Sequence, residues 1–351
     1  METSSIQRTN NVFIPIIRKP ENVSVSPSSP YLTPQVVTAS VPQKEVRNLP
    51  FIEANTKEVT LSHVKDDCII PVFSKDNEVT ISHQSFIQSV LDAAKAVFPY
   101  EDISDPVIRV SHVVKGRIPE AIHKPVGELL ESDKTIYYER MMFCFEIPSI
   151  HQDIDGCRLN LTIGGVRAYN EQNLYSRKAP EKFRIFIGFK NMVCCNLCVS
   201  TDGYKASIRV MDTDALLSSA SDLFRSYDMQ CHLAQMTAFR ECRMSESQFA
   251  QFLGKCRLYQ YLPLPERKKL PSLLMTDTQI GLVAKSYFDD PDFGKDGNNT
   301  ISLWKVFNLL TGANKSSYID NFLDRAENAS SLTSGLCMAL YGDPEYSWFL
   351  S

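Results

Sequence analysis

Apolar and polar positions alternate through much of the chain between residues 51 and 211, and this two-residue period predicts β-strands. The runs are rich in β-branched and aromatic side chains, which fit a pleated, half-buried surface. A turn at Lys75-Asp76-Asn77 separates two of them, and Gly164-Gly165 predicts a bulge or a close backbone approach within another. The predicted strands cover residues 56–64, 68–83 (two strands), 106–114, 135–147, 157–169 and 182–210 (two or three strands).

Helical spacing appears once before residue 212 and repeatedly after it. Ser82 predicts the N-cap of a helix that ends before Pro99, and Asp212 or Thr213 caps a long helix with apolar positions from Leu216 to Phe239. A capping box of Ser245 and Gln248 predicts the start of the next helix. Further helices are predicted over residues 276–288, 300–310 and 318–341, the last one broken near residue 328.

This order of elements predicts an α+β protein, because sequential strands followed by sequential helices do not build a doubly wound sheet. We expect a mostly antiparallel mixed sheet in the first half, followed by a helical C-terminal region. Residues 1–46 read as a disordered Ser/Thr/Pro-rich tail, 47–211 as a strand-rich region with one or two helices, and 212–351 as a helical region packed on or beside the sheet. The sequence leaves open whether the two regions share one core.

Composition narrows the class of protein. The 351 residues are 43% hydrophobic and 22% charged, with a formal net charge of −4, so any nucleic-acid contact must come from a local basic patch. No signal peptide or membrane-spanning run is predicted. Ten cysteines in a chain of this length are not a secreted disulfide framework. We therefore expect a cytoplasmic protein with reduced, buried thiols.

Three of the cysteines form a compact cluster, Cys194-Cys195-x-x-Cys198. This spacing suits thiolate ligation of zinc and thiol redox chemistry. A structural zinc site needs four ligands, however, and only the adjacent pair Cys231-His232 offers a completion. Buried strand thiols without a cofactor are the favoured interpretation, and zinc bound by the cluster is the alternative.

Basic and aromatic residues interleave on the strands between residues 167 and 209. Alternation places Arg184 and Phe186 on one face of a strand and Phe183 and Ile185 on the other. Such a face either solvates an ordinary half-exposed sheet or follows a phosphate backbone while its rings stack on bases. The candidate nucleic-acid-binding residues are Arg167, Arg184, Phe186, Lys190, Tyr204, Lys205 and Arg209, with DNA as the candidate partner.

Two other functions remain open. A hydrolase or nuclease would have to gather His112, Asp202 and the cysteine cluster in one polar pocket, and no motif identifies its catalytic residues. A protein-interaction module directed against a host factor would instead show an exposed apolar patch and no charged cleft.

Three stretches carry a resemblance to known families: FRIFIGFKNMVCCNLCVSTDGYKASIRV, GGVRAYNEQNLY before it, and LWKVFNLLTGANKSSYIDNFLDRAENA near the end. Over residues 48–350 the chain resembles an uncharacterised domain-of-unknown-function family of Bacteroides-type bacteria. The pair Cys195-Asn196 and the spacing from Trp304 to Asn308 are also similar to a phage- and plasmid-associated family. The resemblance implies a cytoplasmic accessory protein of a mobile element, one that handles DNA, and it assigns no catalytic residue.

Overall fold

The computed structural model describes residues 43–47, 49–68, 80–121, 123–172 and 180–351. Its main sheet has seven strands in the order β1-β2-β3-β4-β5-β6, with β7 pairing with β5 beside β6, and every pair is antiparallel. The strands are β1 Lys57–Val59, β2 Val107–Arg117, β3 Lys134–Ile154, β4 Cys157–Ala168, β5 Glu181–Asn191, β6 Leu197–Cys198 and β7 Tyr204–Val210. Together with the helices that follow, this sheet confirms the α+β class.

Helices dominate the second half of the chain. The α-helices are α1 Leu61–Asp66, α2 His83–Val97, α3 Thr213–Ser226, α4 Met229–Glu241, α5 Glu246–Tyr261, α6 Leu264–Arg267, α7 Asp277–Asp289, α8 Leu303–Asn314 and α9 Ile319–Leu340. A small ladder of β8 Arg243–Ser245 and β9 Thr300–Ser302 ties the start of α5 to the start of α8. Within the described ranges, no helix is both long enough and apolar enough to cross a membrane.

The central strands β4 and β5 are buried on both faces over most of their length. On one face, Phe86 of α2 packs against Phe143 and Phe183, with ring centroids 5.2 and 4.7 Å away. On the other face, Phe322 and other apolar residues of α9 share a separate cluster with Met142 and Phe186. The first cluster also joins residues of the sheet to Phe239 and Trp304 of the later helices, so the two regions have a common core.

Several predicted boundaries change because a local hydrogen bond or a strand partner overrides the pattern. The first predicted strand shortens to β1, since the Thr60 hydroxyl accepts the His63 N–H and starts α1. The strand predicted over residues 106–114 continues through residue 117, because residues 115–117 pair with residues 134–136 of β3. The long helix predicted from residue 212 divides where Asp228 caps α4.

The break predicted near residue 328 does not occur, because α9 runs on to Leu340. The Asn328 side chain instead bonds the backbone of Ser272 and Leu274. The predicted tail up to residue 42 and the turn Lys75-Asp76-Asn77 lie outside the described residues.

One pair of cysteines corrects the expectation that all ten are reduced. Cys242, which follows α4, and Cys337 of α9 form a disulfide, with Cα atoms 6.1 Å apart. That separation lies within the range that a disulfide can bridge. Sequence could not pair them, because they lie 95 positions apart and only packing of α4 on α9 brings them together.

Candidate binding surfaces

The basic residues of β5 lie where alternation predicted them, but they are engaged inside the protein. Arg184 is buried and donates two 2.9 Å hydrogen bonds to the Glu171 carboxylate. Lys190 Nζ lies 2.8 Å from a carboxylate oxygen of Glu146. Burial opposes ionisation of Glu171, yet hydrogen bonds from Arg184 and Lys182 hold its pKa below its ordinary value. These cations therefore neutralise neighbouring acids, and α9 covers Phe186 on the same face.

Arg167 of β4 is completely buried. Its guanidinium bonds the Glu181 carboxylate and the Ile81 carbonyl, and it lies over the rings of Tyr169 and Phe183, 4.4 and 4.6 Å from their centroids. Ion pairing combined with cation–π contact satisfies a charge that would otherwise be costly to bury. Arg167 thus joins the end of β4 to the start of β5 and to the segment before α2.

The remaining candidates lie on β7, at the edge of the sheet, where Tyr204 and Lys205 are half-buried. Arg209 is exposed, Lys205 reaches the Ser219 carbonyl, and the Tyr204 hydroxyl donates a 2.6 Å hydrogen bond to Asp324. A cleft of about 520 Å³ lies beside this strand. Its lining includes Asp324 and Glu327, so the part of the basic face that solvent reaches is bordered by acids.

The three clustered cysteines have different neighbours. The Cys194 thiol lies 3.6 Å from Asn308 Oδ1, the Cys195 thiol donates to the Arg47 carbonyl at 3.2 Å, and Cys198 is buried in the main core. Burial raises the pKa of Cys194 to about 12 and that of Cys198 well above its ordinary value, which disfavours thiolate chemistry. Within the described ranges, no three His, Cys, Asp or Glu side chains are grouped to hold a metal ion.

The loop that contains Cys195-Asn196 and the segment of α8 from Trp304 to Asn308 meet in space. Asn191 Nδ2 donates to Asn308 Oδ1 at 2.9 Å, and Asn196 Nδ2 donates to the Asn308 carbonyl at 2.9 Å. Cys195, between these asparagines, has a positive φ of 57°. The asparagines hold a tight loop after β5 against α8, a packing role that their spacing alone did not reveal.

The residues required by the enzyme hypothesis do not converge. His112 lies on β2 and contacts Ser111, whereas Asp202 accepts hydrogen bonds from the Ser200 hydroxyl and the Asp228 amide. Strands β3, β4 and β5 lie between β2 and β6 in the sheet. A different histidine, His232, bonds the Tyr227 hydroxyl at 2.7 Å near Asp202.

A larger groove, of about 940 Å³, was not anticipated from the sequence. It runs between the C-terminal end of α2, the β3–β4 hairpin and the corner where α3 meets α4. Its walls combine apolar side chains with Arg225, Asp228 and Gln230. No sequence pattern could have identified it, because the three elements are far apart in the chain.

An exposed apolar patch lies at the end of α5 and the start of α6. Leu258, Tyr261 and Leu264 are 59%, 80% and 61% exposed. The core-facing positions of α5 are Phe249, Phe252, Cys256 and Tyr259. The sequence could have indicated this patch, because Leu258 and Tyr261 are apolar residues that fall outside the core-facing positions of α5.

Comparison with known proteins gives a family but no activity. No curated protein matches the chain, and no solved structure matches it. A family model described as "Domain of unknown function, B. Theta Gene description (DUF3871)" matches residues 32–350. The match covers most of the chain, including all of the surfaces described above, and the chain therefore belongs to this domain-of-unknown-function family.

Proposed function

We propose that this protein is a non-enzymatic accessory protein that acts by binding another protein through the apolar patch of Leu258, Tyr261 and Leu264. The observation that supports this function is the exposure of three large apolar side chains within one short stretch. Leu258 and Tyr261 are three positions apart on α5 and so lie on the same side of the helix. Clustered exposed apolar residues with a polar border are typical of protein-interaction sites.

Charge beside the patch indicates the partner's chemistry. Lys268 and Lys269 follow α6 and are exposed, and neither side chain has an ion-pair partner among the described residues. Arg267 differs from these two lysines, because its guanidinium donates a hydrogen bond to the carbonyl of Gln260 and holds α6 against the end of α5. The expected partner therefore presents an apolar surface with acidic residues at its edge.

Site-specific photocrosslinking in living cells tests this proposal. A photoreactive p-benzoylphenylalanine at position 261 should capture a defined protein, whereas the same group at the more accessible Tyr100, 97% exposed, should not. The captured protein would then be purified and its affinity measured by calorimetry. Leu258→Ser with Leu264→Ser, and Lys268→Glu with Lys269→Glu, should each weaken binding at least about tenfold. Equal capture at both positions, or affinity unchanged in both variants, would reject this function.

Nucleic-acid binding is a second candidate, and the exposure of Arg209 on β7 favours it. Under this second proposal, DNA would contact Tyr204, Lys205 and Arg209 at the edge of the sheet. The other candidates are buried or paired within the protein and would stabilise the sheet beneath that surface: Arg167, Arg184, Phe186 and Lys190. The mobile-element setting that the resemblance implies belongs to this proposal, as does the cytoplasmic location.

Fluorescence anisotropy with labelled single- and double-stranded DNA at two salt concentrations tests this second candidate. Binding should weaken steeply with salt, and Arg209→Glu should weaken it further. Lys285→Glu, an exposed lysine of α7 on the helical region, is the matched control. Affinity that is independent of salt, or equally reduced by both variants, would count against DNA as the partner.

A further inference from the structure

We propose that the groove between α2, the β3–β4 hairpin and the α3–α4 corner binds a small organic carboxylate with an apolar body. This site is separate from the patch on α5 and α6, and its ligand is independent of the protein partner proposed above. The volume of about 940 Å³ lies within the range of small-molecule sites.

The apolar part of the groove comes from four half-buried side chains. Val97 ends α2, Ile150 belongs to the β3–β4 hairpin, and Met229 and Leu233 are one turn apart on α4. Each packs against the core with part of its surface and leaves the rest accessible. Covering that surface with a hydrocarbon chain removes it from water and favours binding.

The acidic residues of the groove are already hydrogen-bonded. Glu101 accepts the Ser149 hydroxyl at 2.5 Å. Asp228 accepts the Cys231 amide at 2.9 Å as the N-cap of α4, where the positive end of the helix stabilises its charge. These carboxylates have structural partners within the protein, so neither requires a cationic ligand.

Arg225 and Gln230 are the polar side chains that lack such partners. Neither makes a hydrogen bond or an ion pair within the part of the chain that the structure describes. A guanidinium offers only donors, in a planar arrangement that matches both oxygens of a carboxylate. The Gln230 amide adds a further donor, and an apolar chain attached to the carboxylate would then follow the walls from Val97 to Leu233.

Calorimetric titration of the full chain with decanoate and decan-1-ol tests the site. The two probes share an apolar chain and differ in the head group that Arg225 would recognise. Decanoate should bind at least about tenfold more tightly than decan-1-ol, and acetate should show no binding because it lacks the apolar body. Arg225→Gln should reduce decanoate affinity about tenfold, whereas Lys285→Gln, distant from the groove in sequence, should leave it unchanged.

Leu233→Ser provides a second test of where the ligand binds. It removes an apolar side chain from the groove and leaves Arg225 and Gln230, the residues proposed to bind the carboxylate, unchanged. This variant should weaken decanoate and decan-1-ol to a similar extent. The proposal is overturned if decanoate does not bind, if both probes bind equally, or if Arg225→Gln binds decanoate as tightly as the unmodified protein.

Discussion

Asn191 at the end of β5 and Asn308 on α8 are joined by a 2.9 Å hydrogen bond, although they lie 117 positions apart. Both side chains are buried. Asn308 also donates to the Trp304 carbonyl at 2.9 Å, while its own carbonyl accepts from Asn196. One residue of α8 thus fixes both ends of the loop that follows β5, and it links the sheet to the helical region.

This geometry predicts that Asn308→Leu destabilises the protein. The substitution keeps the number of heavy atoms and the branching of the side chain but leaves the buried Asn191 amide without an acceptor, which should lower the free energy of unfolding by about 2–3 kcal/mol. Urea unfolding followed by circular dichroism measures the change. Asn170→Ala, at an exposed position, should stay within about 0.5 kcal/mol. Equal stability of Asn308→Leu and the unmodified protein would contradict this role.

The ion pair of Arg184 and Glu171 gives a second prediction. Arg184→Ala should lower the free energy of unfolding by about 1–3 kcal/mol, because Glu171 is left partly buried without its two hydrogen bonds. Arg240→Ala is the matched control, since its partner Glu241 is 64% exposed and solvent already screens the pair. Thermal unfolding would compare the two. A loss of DNA binding in Arg184→Ala would not by itself identify a contact with DNA.

Two buried histidines predict acid sensitivity. Burial lowers the pKa of His83 to about 3, helped by the charge of Arg167, and burial lowers the pKa of His232 to about 4. In the unfolded chain both protonate near pH 6.5, so their contribution to stability is present above that pH and is lost as pH falls toward the folded values. Each should cost about 1–2 kcal/mol between pH 6.5 and pH 5.

Urea unfolding at several pH values measures this effect. His232→Gln should remove about half of the loss of stability below pH 6.5, and His123→Gln, at an exposed position, should leave the profile unchanged. A profile that is flat from pH 7 to pH 5 would refute the prediction.

Gly165 gives a further prediction. A Cβ atom there would lie 2.5 Å from the Phe86 ring and 2.8 Å from the Arg184 carbonyl oxygen, so Gly165→Ala should destabilise the sheet by about 3 kcal/mol or more. At Gly254 on α5 nothing lies within 4 Å of the added atom, and Gly254→Ala should stabilise the helix by about 0.5–1 kcal/mol. Thermal melts of both variants should therefore shift in opposite directions, and a shared direction would contradict the close approach of α2.

The sequence predicted many of the helices and strands, but it did not predict which of them pack against one another. Ser82 caps α2, and Ser245 with Gln248 forms the predicted capping box of α5. Pairing of residues 140–147 with 161–168 is continuous through Gly164-Gly165, so the close backbone approach is confirmed and no bulge occurs there. The helix caps depend on neighbouring residues, which is why local patterns identified them, and the paired glycines indicated the close approach although its partners are distant in the chain.

The interpretation of the basic face was incomplete for a physical reason. Alternation correctly placed Arg184 and Phe186 on one side of β5. It could not show that α9, more than a hundred residues later, buries that side, or that Glu171 and Glu146 neutralise its cations. Alternating charged and apolar residues are typical of a strand with one face in solvent. The same alternation occurs in a strand that is buried on both faces, provided that the buried arginines have ion-pair partners.

The sequence by itself determined the α+β class, several helix caps and most strands, because these depend on periodicity and on hydrogen bonds between near neighbours. Tertiary structure alone decided which polar residues are exposed, which cysteines are paired, and where the groove lies. Each of those properties depends on contacts between segments that are distant in the chain. Burial and charge pairing are set by such contacts, and a local pattern does not contain them.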